Sequence, residues 1–207
     1  VTKGKLAHLN HWLLGRIFIS NDKGQTWKAR HDYPFSNARL IRDGAVLYLI
    51  GHAGSLRVMR SADGGETWSR AEELAPNDDF FIRAPGNPWF SQGGIYFPVM
   101  KTTDPQYRSH ATHAFAMVFL RARQGGDLTD KRNWQISPPT PTLSQLVPAD
   151  KLGFSGIPFL AEPVHYKTNP AAPPPLRMGW DNPHLLQITD PNHLWHDPSG
   201  KTFFVLA

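Results

Sequence analysis

The sequence predicts an all-β fold of repeated four-stranded sheets, the blades of a propeller. Three observations carry this. A turn motif of form S-x-D-x-G-x-T-W occurs twice, as Ser20-Asn21-Asp22-Lys23-Gly24-Gln25-Thr26-Trp27 and as Ser61-Ala62-Asp63-Gly64-Gly65-Glu66-Thr67-Trp68. The copies begin 41 residues apart, a period in the range of one propeller blade. Each copy follows a short apolar run of strand length. The motif's chemistry suits a hairpin tip. Asp accepts from backbone N–H groups just downstream, and Gly supplies a positive φ. Ser and Thr hydroxyls satisfy the remaining polar groups of the turn. Trp buries a large ring where the next strand begins.

The elements follow in order. Residues 15–20 form a strand into the first motif, and 28–31 the strand after it. Residues 38–41 are an inner strand, Asp43-Gly44 a hairpin turn and 45–51 a buried strand. Residues 52–54 turn the chain, 56–60 lead into the second motif, and 68–71 begin a fourth strand. In the third blade, Trp89-Phe90 and 95–100 flank the turn Gln92-Gly93-Gly94. A loop over 101–113 precedes a strand at 114–121. Residues 125–134 read as a degenerate copy that keeps Gly125, Asp127 and Trp134 but not the spacing. The proline-rich stretch at about 138–183 reads as a long inserted loop. Residues 185–188, the turn Asp197-Pro198-Ser199-Gly200 and 202–207 open a fourth blade. The expectation is a single partial domain over 1–207, a fragment cut at both ends. Isolated, its open strand edges are expected to cause aggregation or domain swapping.

Composition narrows the function. The 207 residues carry 22 Lys and Arg against 17 Asp and Glu, a formal +5 with His neutral. The basic residues are scattered, with no basic run interleaved with aromatics, so nucleic acid is not an expected partner. Cysteine is absent, which removes a disulfide framework and a thiolate zinc site. No apolar run is long enough for a membrane span, and no membrane insertion is expected. Three His-x-x-His pairs (His8/His11, His110/His113, His193/His196) invite a metal reading. Positions three apart on a strand face opposite sides, and no shared carboxylate pattern accompanies them. No metal or other cofactor is assigned.

The repeated motif resembles the Asp-box, or BNR repeat, of sialidases and related β-propellers. The whole chain, including 190–198, is similar to sialidase-like proteins of environmental bacteria. The resemblance implies a sialidase-type propeller, six-bladed when complete, with about four blades represented here. It also implies an exported protein, extracellular or periplasmic, whose partner is an acidic oligosaccharide or polysaccharide. In this fold the Asp-boxes join third to fourth strands on one rim, and sites form on the other, around the channel. Asp22 and Asp63 are therefore structural.

The site rim gathers ionisable groups. Catalytic candidates are Asp32, Arg39, His52, Arg83 and Glu162. Substrate-binding candidates are His31, Tyr107, Arg108 and His193, the last beside Trp195 in a sugar subsite. Sialidases hold the substrate carboxylate with an arginine cluster, whose planar forks bind both oxygens. They also use an Asp acid/base and a Tyr nucleophile assisted by Glu. The resemblance makes Arg39 and Arg83 members of the cluster and Asp32 the acid/base. Phe81-Ile82-Arg83-Ala84-Pro85 departs from the Arg-Ile-Pro signature, and the tyrosine nucleophile falls in a later blade. The function expected is an exo-glycosidase acting on acidic glycans. Two alternatives remain: a uronate lyase using His31, His52, Tyr107 and Arg83, and a non-catalytic glycan-binding propeller.

Overall fold

The computed structural model describes residues 15–75, 81–83, 86–102, 115–141 and 183–206. Among these there are strands and a single 3₁₀ turn, and no α-helix. Strands β1 (Gly15–Ile19) and β2 (Lys28–Tyr33) pair antiparallel across the first motif. A complete four-stranded meander follows: β3 (Ser36–Asp43), β4 (Val46–Ala53), β5 (Ser55–Ser61) and β6 (Glu72–Glu73), in that spatial order. The third sheet contains β7 (Phe81–Arg83), β8 (Trp89–Ser91), β9 (Gly94–Thr102), β10 (Phe115–Arg123) and β11 (Trp134–Ile136). Here β7 and β8 both pair with β9, as one interrupted inner strand. A fourth sheet begins with β12 (His184–Leu186) and β13 (Phe204–Leu206).

The motifs occupy the third-to-fourth strand connections, as β1–β2 and β5–β6. Their hydrogen bonds are duplicated. The Ser20 and Ser61 hydroxyls donate to Asp22 and Asp63 at 2.7 and 2.8 Å, and accept from Gly24 N and Gly65 N at 2.7 and 2.8 Å. Each Asp accepts from the Thr four residues on, through the amide (2.8 and 2.9 Å) and the hydroxyl (2.5 Å in both). Each Trp indole N–H folds back onto the Gly carbonyl three residues earlier, at 3.0 and 2.9 Å. The degenerate copy solves the same problem with a longer loop. Asp127 accepts from Thr129, Asp130 caps the 3₁₀ turn Lys131–Asn133, and Trp134 donates to Leu128 O at 2.8 Å.

Side-chain alternation along β4 buries both faces of the second sheet. Tyr48 and Ile50, with Ile41, Leu56 and Val58, pack toward Ile95, Phe97, Val99, Val118, Leu120 and Trp134 of the third sheet. Leu49 and Met59 join Phe35 on the opposite face, toward Ile17 and Tyr33. Sheets stacked face to face, each with its Asp-box at the third turn, are the blades of a β-propeller. Gly51 allows one close approach in this stack. A Cβ there would lie 2.5 Å from Phe35 Cδ2 and 2.6 Å from Ser36 O.

The sequence misplaces some boundaries. The fourth strand of the second blade forms at 72–73, not 68–71, because Ser69 spends its groups on the turn: Ser69 N donates to Arg60 O, and Ser69 Oγ accepts from Arg60 N. The third sheet's outer edge runs on past β11 to Thr140, and most of the stretch expected as an inserted loop lies outside the described residues. Ser137 and Thr140 keep bonding to Phe119 and Met117 of β10, their hydroxyls accepting the strand's amides and their own amides reaching its carbonyls. They carry the outer edge past Pro138 and Pro139, which have no N–H to donate. Strand β7 is absent from the sequence reading.

The bonds from Thr26 and Thr67 hold Asp22 and Asp63 down to about 2, from an ordinary 3.8. A depressed folded pKa contributes stability above the unfolded value and loses it as pH falls through the folded one. Thermal unfolding followed from pH 6 to 2 should show Tm falling mainly between about pH 4 and 2. The Asp63→Asn variant should start lower and lose less over that window. Gly51→Ala should destabilise by about 1–3 kcal/mol, because backbone as well as ring must move; urea unfolding reads this directly.

Candidate functional site

Strand directions divide the molecule into two rims. The Asp-boxes, the Asp43-Gly44 turn and the Gln92-Gly93 turn lie on one, the box rim. The start of β3, the β4–β5 turn, the end of β9 and the start of β10 lie on the other, the open rim.

On the open rim the second blade builds a compact polar group. Asn37 sits at φ 52° where the β3–β4 register shifts between Ser36 and Arg39. Asn tolerates this left-handed conformation better than most residues, and the bulge re-aims the inner strand's first side chains. Asn37 Nδ2 lies 3.1 Å from Nε2 of His52, which is 7% exposed at the end of β4. With the amide nitrogen donating, Nε2 accepts and the ring proton resides on Nδ1. Ser36 Oγ donates to His52 O at 3.4 Å and closes the group. Two residues after Asn37, Arg39 is half-buried on the inner strand, its described bond being to Ala38 O at 3.4 Å. Among the described residues it has no carboxylate partner. Arg83 lies on β7, the first piece of the third blade's inner strand, and β7 packs against β4. His184 is exposed at the start of β12. Each of these three inner strands thus carries a basic residue: Arg39 on β3, Arg83 on β7 and His184 on β12.

Asp32 is not in that group. It lies on the outer strand β2, where Arg16 Nε and Nη2 grip its two oxygens at 2.5 and 2.8 Å. Those hydrogen bonds, reinforced by the Arg16 charge, hold its carboxyl below the ordinary range. The next blade repeats the arrangement: Arg16 opposes Asp32, and Arg57 opposes Glu73 at the equivalent register. A cross-strand pair of opposite charges stabilises strand pairing, and a carboxylate held ionised is a poor proton donor at neutral pH. The geometry therefore counts against the acid/base role expected for Asp32. His31 is half-buried beside it on β2, opposite Ile17.

His193 lies on the opposite rim. Strand β12 runs alongside the third blade's inner strand in the same direction: Gly86 abuts the Pro183 carbonyl, and Trp89 Nε1 donates to Gln187 Oε1 at 2.8 Å. The 187–203 connection consequently emerges on the box rim, with Gly200 against Gln92. There His193 Nδ1 accepts from Trp195 N at 3.2 Å, and His196 Nδ1 donates to Ile188 O at 2.7 Å. Both histidines serve the turn. Tyr107, Arg108 and Glu162 lie outside the described residues. Asn37 escaped sequence reading, although an Asn entering a strand just after Pro34 is a legible bulge signal. Among the described residues no three His, Asp or Glu side chains are grouped to hold a metal ion. None of their helices is long and apolar enough to cross a membrane.

Residues 59–70, the second box with its flanks, match the BNR/Asp-box repeat family. The chain thus carries an Asp-box repeat. Among solved structures it is similar to an α-L-arabinofuranosidase from Lactobacillus brevis, at 15% identity and a TM-score of 0.42, over 55% of this chain and 39% of that one. It is also similar to a mutant Trypanosoma rangeli sialidase displaying trans-sialidase activity, at 16% identity and a TM-score of 0.38, over 66% of this chain and 26% of that one. The chain spans well under half of either.

Two substitutions test this geometry. Asn37→Ala should be less stable than Asn37→Gly by about 1 kcal/mol, since both lose the His52 bond but only Ala is strained at positive φ. Equilibrium unfolding of the pair decides it. Exchanging charges as Arg16→Asp with Asp32→Arg should recover most of the stability lost by either single change. Additive losses would show that Asp32 matters for another reason.

Proposed function

We propose that this Asp-box propeller is a carbohydrate-active protein whose open rim binds acidic glycans, and that its activity is exo-glycosidic. The observation that carries the reading is Arg39. A half-buried guanidinium on an inner strand, with no described carboxylate beside it, is suited to a ligand carboxylate, which it can hold by two parallel hydrogen bonds. Arg83 on the neighbouring inner strand extends the same chemistry. His52, positioned by Asn37, belongs to the same rim. Such a rim binds and orients the charged end of a glycan chain.

The proton donor for hydrolysis then comes from a residue other than Asp32, and Glu162 is our candidate. The lyase alternative draws on His31, His52, Tyr107 and Arg83, and the Asn37 bond to Nε2 engages one ring nitrogen of His52. Secretion fits a protein that meets acidic polysaccharides outside the cell, and we propose that location.

The test is turnover of fluorogenic sialosides and uronides, and of uronate polysaccharides, by the native protein. We expect fluorophore release with no unsaturated product. Arg39→Ala should lower kcat/KM by about 100-fold, the loss expected for one charge-assisted bidentate contact. Glu162→Gln should lower kcat, and Asp32→Asn should stay within a few-fold of the parent. Unchanged kcat/KM in Arg39→Ala, or an unsaturated product, would contradict the proposal. Binding of acidic glycans without turnover would reduce it to a lectin-like propeller.

A further inference from the structure

Several strand arginines of this protein are answered by an acid. Arg16 meets Asp32, Arg30 meets Glu66 and Arg60 meets Asp127, and Arg57 stands opposite Glu73. The end of β10 carries two that are not. Arg121 has Tyr96 and Gln135 as its register partners, and Arg123 has Gly94. Both are exposed, and among the described residues neither has a carboxylate partner. Two positions apart on one strand, they stand on the same face.

With Gln92, Gly93, Arg132 and Gln135 these two arginines line an open groove of about 450 Å³. One carboxylate stands beside its three guanidinium groups. Asp130 takes Arg132 Nε at 3.0 Å and Nη2 at 2.6 Å, which leaves two positive charges uncompensated. Arg121 is oriented without being neutralised. Its guanidinium lies over the Tyr96 ring, 5.7 Å from the centroid, and Nη1 donates to Gln135 Oε1 at 3.4 Å. Tyr96 is held in turn by Phe203, with ring centroids 4.5 Å apart. Neutral partners of this kind fix the plane of a guanidinium and leave its charge for a ligand. Gln135 accepts through its oxygen and keeps its amide N–H groups for another acceptor. A groove lined by charge of one sign concentrates counter-ions, and guanidinium groups pair with phosphate oxygens through parallel hydrogen bonds. A lone carboxylate would supply one negative charge and two oxygens to this surplus. A tetrahedral dianion matches both the charge and the number of donors.

We propose that the groove between the Gln92-Gly93 turn and the Lys131–Asn133 turn is a binding site for a doubly charged tetrahedral oxyanion, the class of phosphate monoesters, inorganic phosphate and sulfate. Arg121 and Arg123 carry the anion, Gln135 adds neutral donors, and Arg132, tied to Asp130, contributes least. The site is separate from the open rim and does not rest on the glycan reading.

Isothermal titration calorimetry of the native protein at pH 8 and low ionic strength tests this. The dianions methyl phosphate, inorganic phosphate and sulfate should bind. Dimethyl phosphate, of similar shape but singly charged, and glucuronate, with one carboxylate, should bind at least about tenfold more weakly. Whichever dianion binds tightest names the source, monoester or free ion. Arg121→Gln with Arg123→Gln should lower the affinity for that dianion at least about tenfold. Lys28→Gln with Arg70→Gln removes the same charge from exposed positions on other sheets and should leave the affinity within about twofold. No heat from any dianion would overturn the proposal. So would equal affinity for dimethyl phosphate or glucuronate, or an equal loss in the two double variants, which would reduce the effect to net charge.

Discussion

Each regular Asp-box hairpin here is organised by one carboxylate, and the degenerate copy divides the task between Asp127 and Asp130. In each regular Asp-box the Asp takes the amide and hydroxyl of the following Thr and the hydroxyl of the preceding Ser, while the Ser oxygen takes the Gly amide. Few polar groups of the turn are left for water. The indole then closes over a backbone carbonyl; Trp68 packs half-buried against the second blade, whereas Trp27 stays 62% exposed, against the burial expected from the motif. A tight turn of this kind fixes the register of the strands it joins. That register sets which residues of β5 face one neighbouring blade and which face the other.

The same constraint separates structure from function. The box rim is committed: Asp22, Asp63, Asp127, Asp130 and Asp197 each accept hydrogen bonds from their own turns, and Glu66 and Asp127 also bridge blades. The open rim carries groups whose burial is not explained by their own strand pairing. Asn37 is held at positive φ, and local backbone strain of this kind recurs at functional positions. His52 is buried and oriented by it, and Arg39 stands two residues further along the strand.

The fold was legible because its signal is local and repeated. Two eight-residue motifs fixed the turn chemistry, and their spacing fixed the repeat. The degenerate copy was also readable, since Trp134 still folds back onto a carbonyl after the spacing changed. For the candidate site, sequence supplied residue types and their strands but not their partners. Arg39 lies on the inner strand that the sequence places, and His52 lies near the end of β4 and not in the turn expected over 52–54. Asp32 was misleading because residue type does not reveal a cross-strand partner; Arg16 lies 16 positions away in sequence. His193 was misleading because its rim depends on the direction of β12, which is set by the long-range contacts of Gly86 and Trp89. Strand β7 was missed because it is three residues long and separated from β8 by Gly86 and Pro88.

The central claim is that one rim holds the fold and the other holds the ligand. Its most direct test is a nuclear magnetic resonance titration of the native protein with an acidic sugar, either sialic acid or a uronate oligosaccharide. Shift changes should concentrate at the Arg39 guanidinium, the Asn37 side-chain amide and the His52 ring. The Gly24, Thr26, Gly65 and Thr67 amides should remain unmoved. Shifts confined to the box turns, or to the 190–197 turn around His193, would contradict the division of the rims.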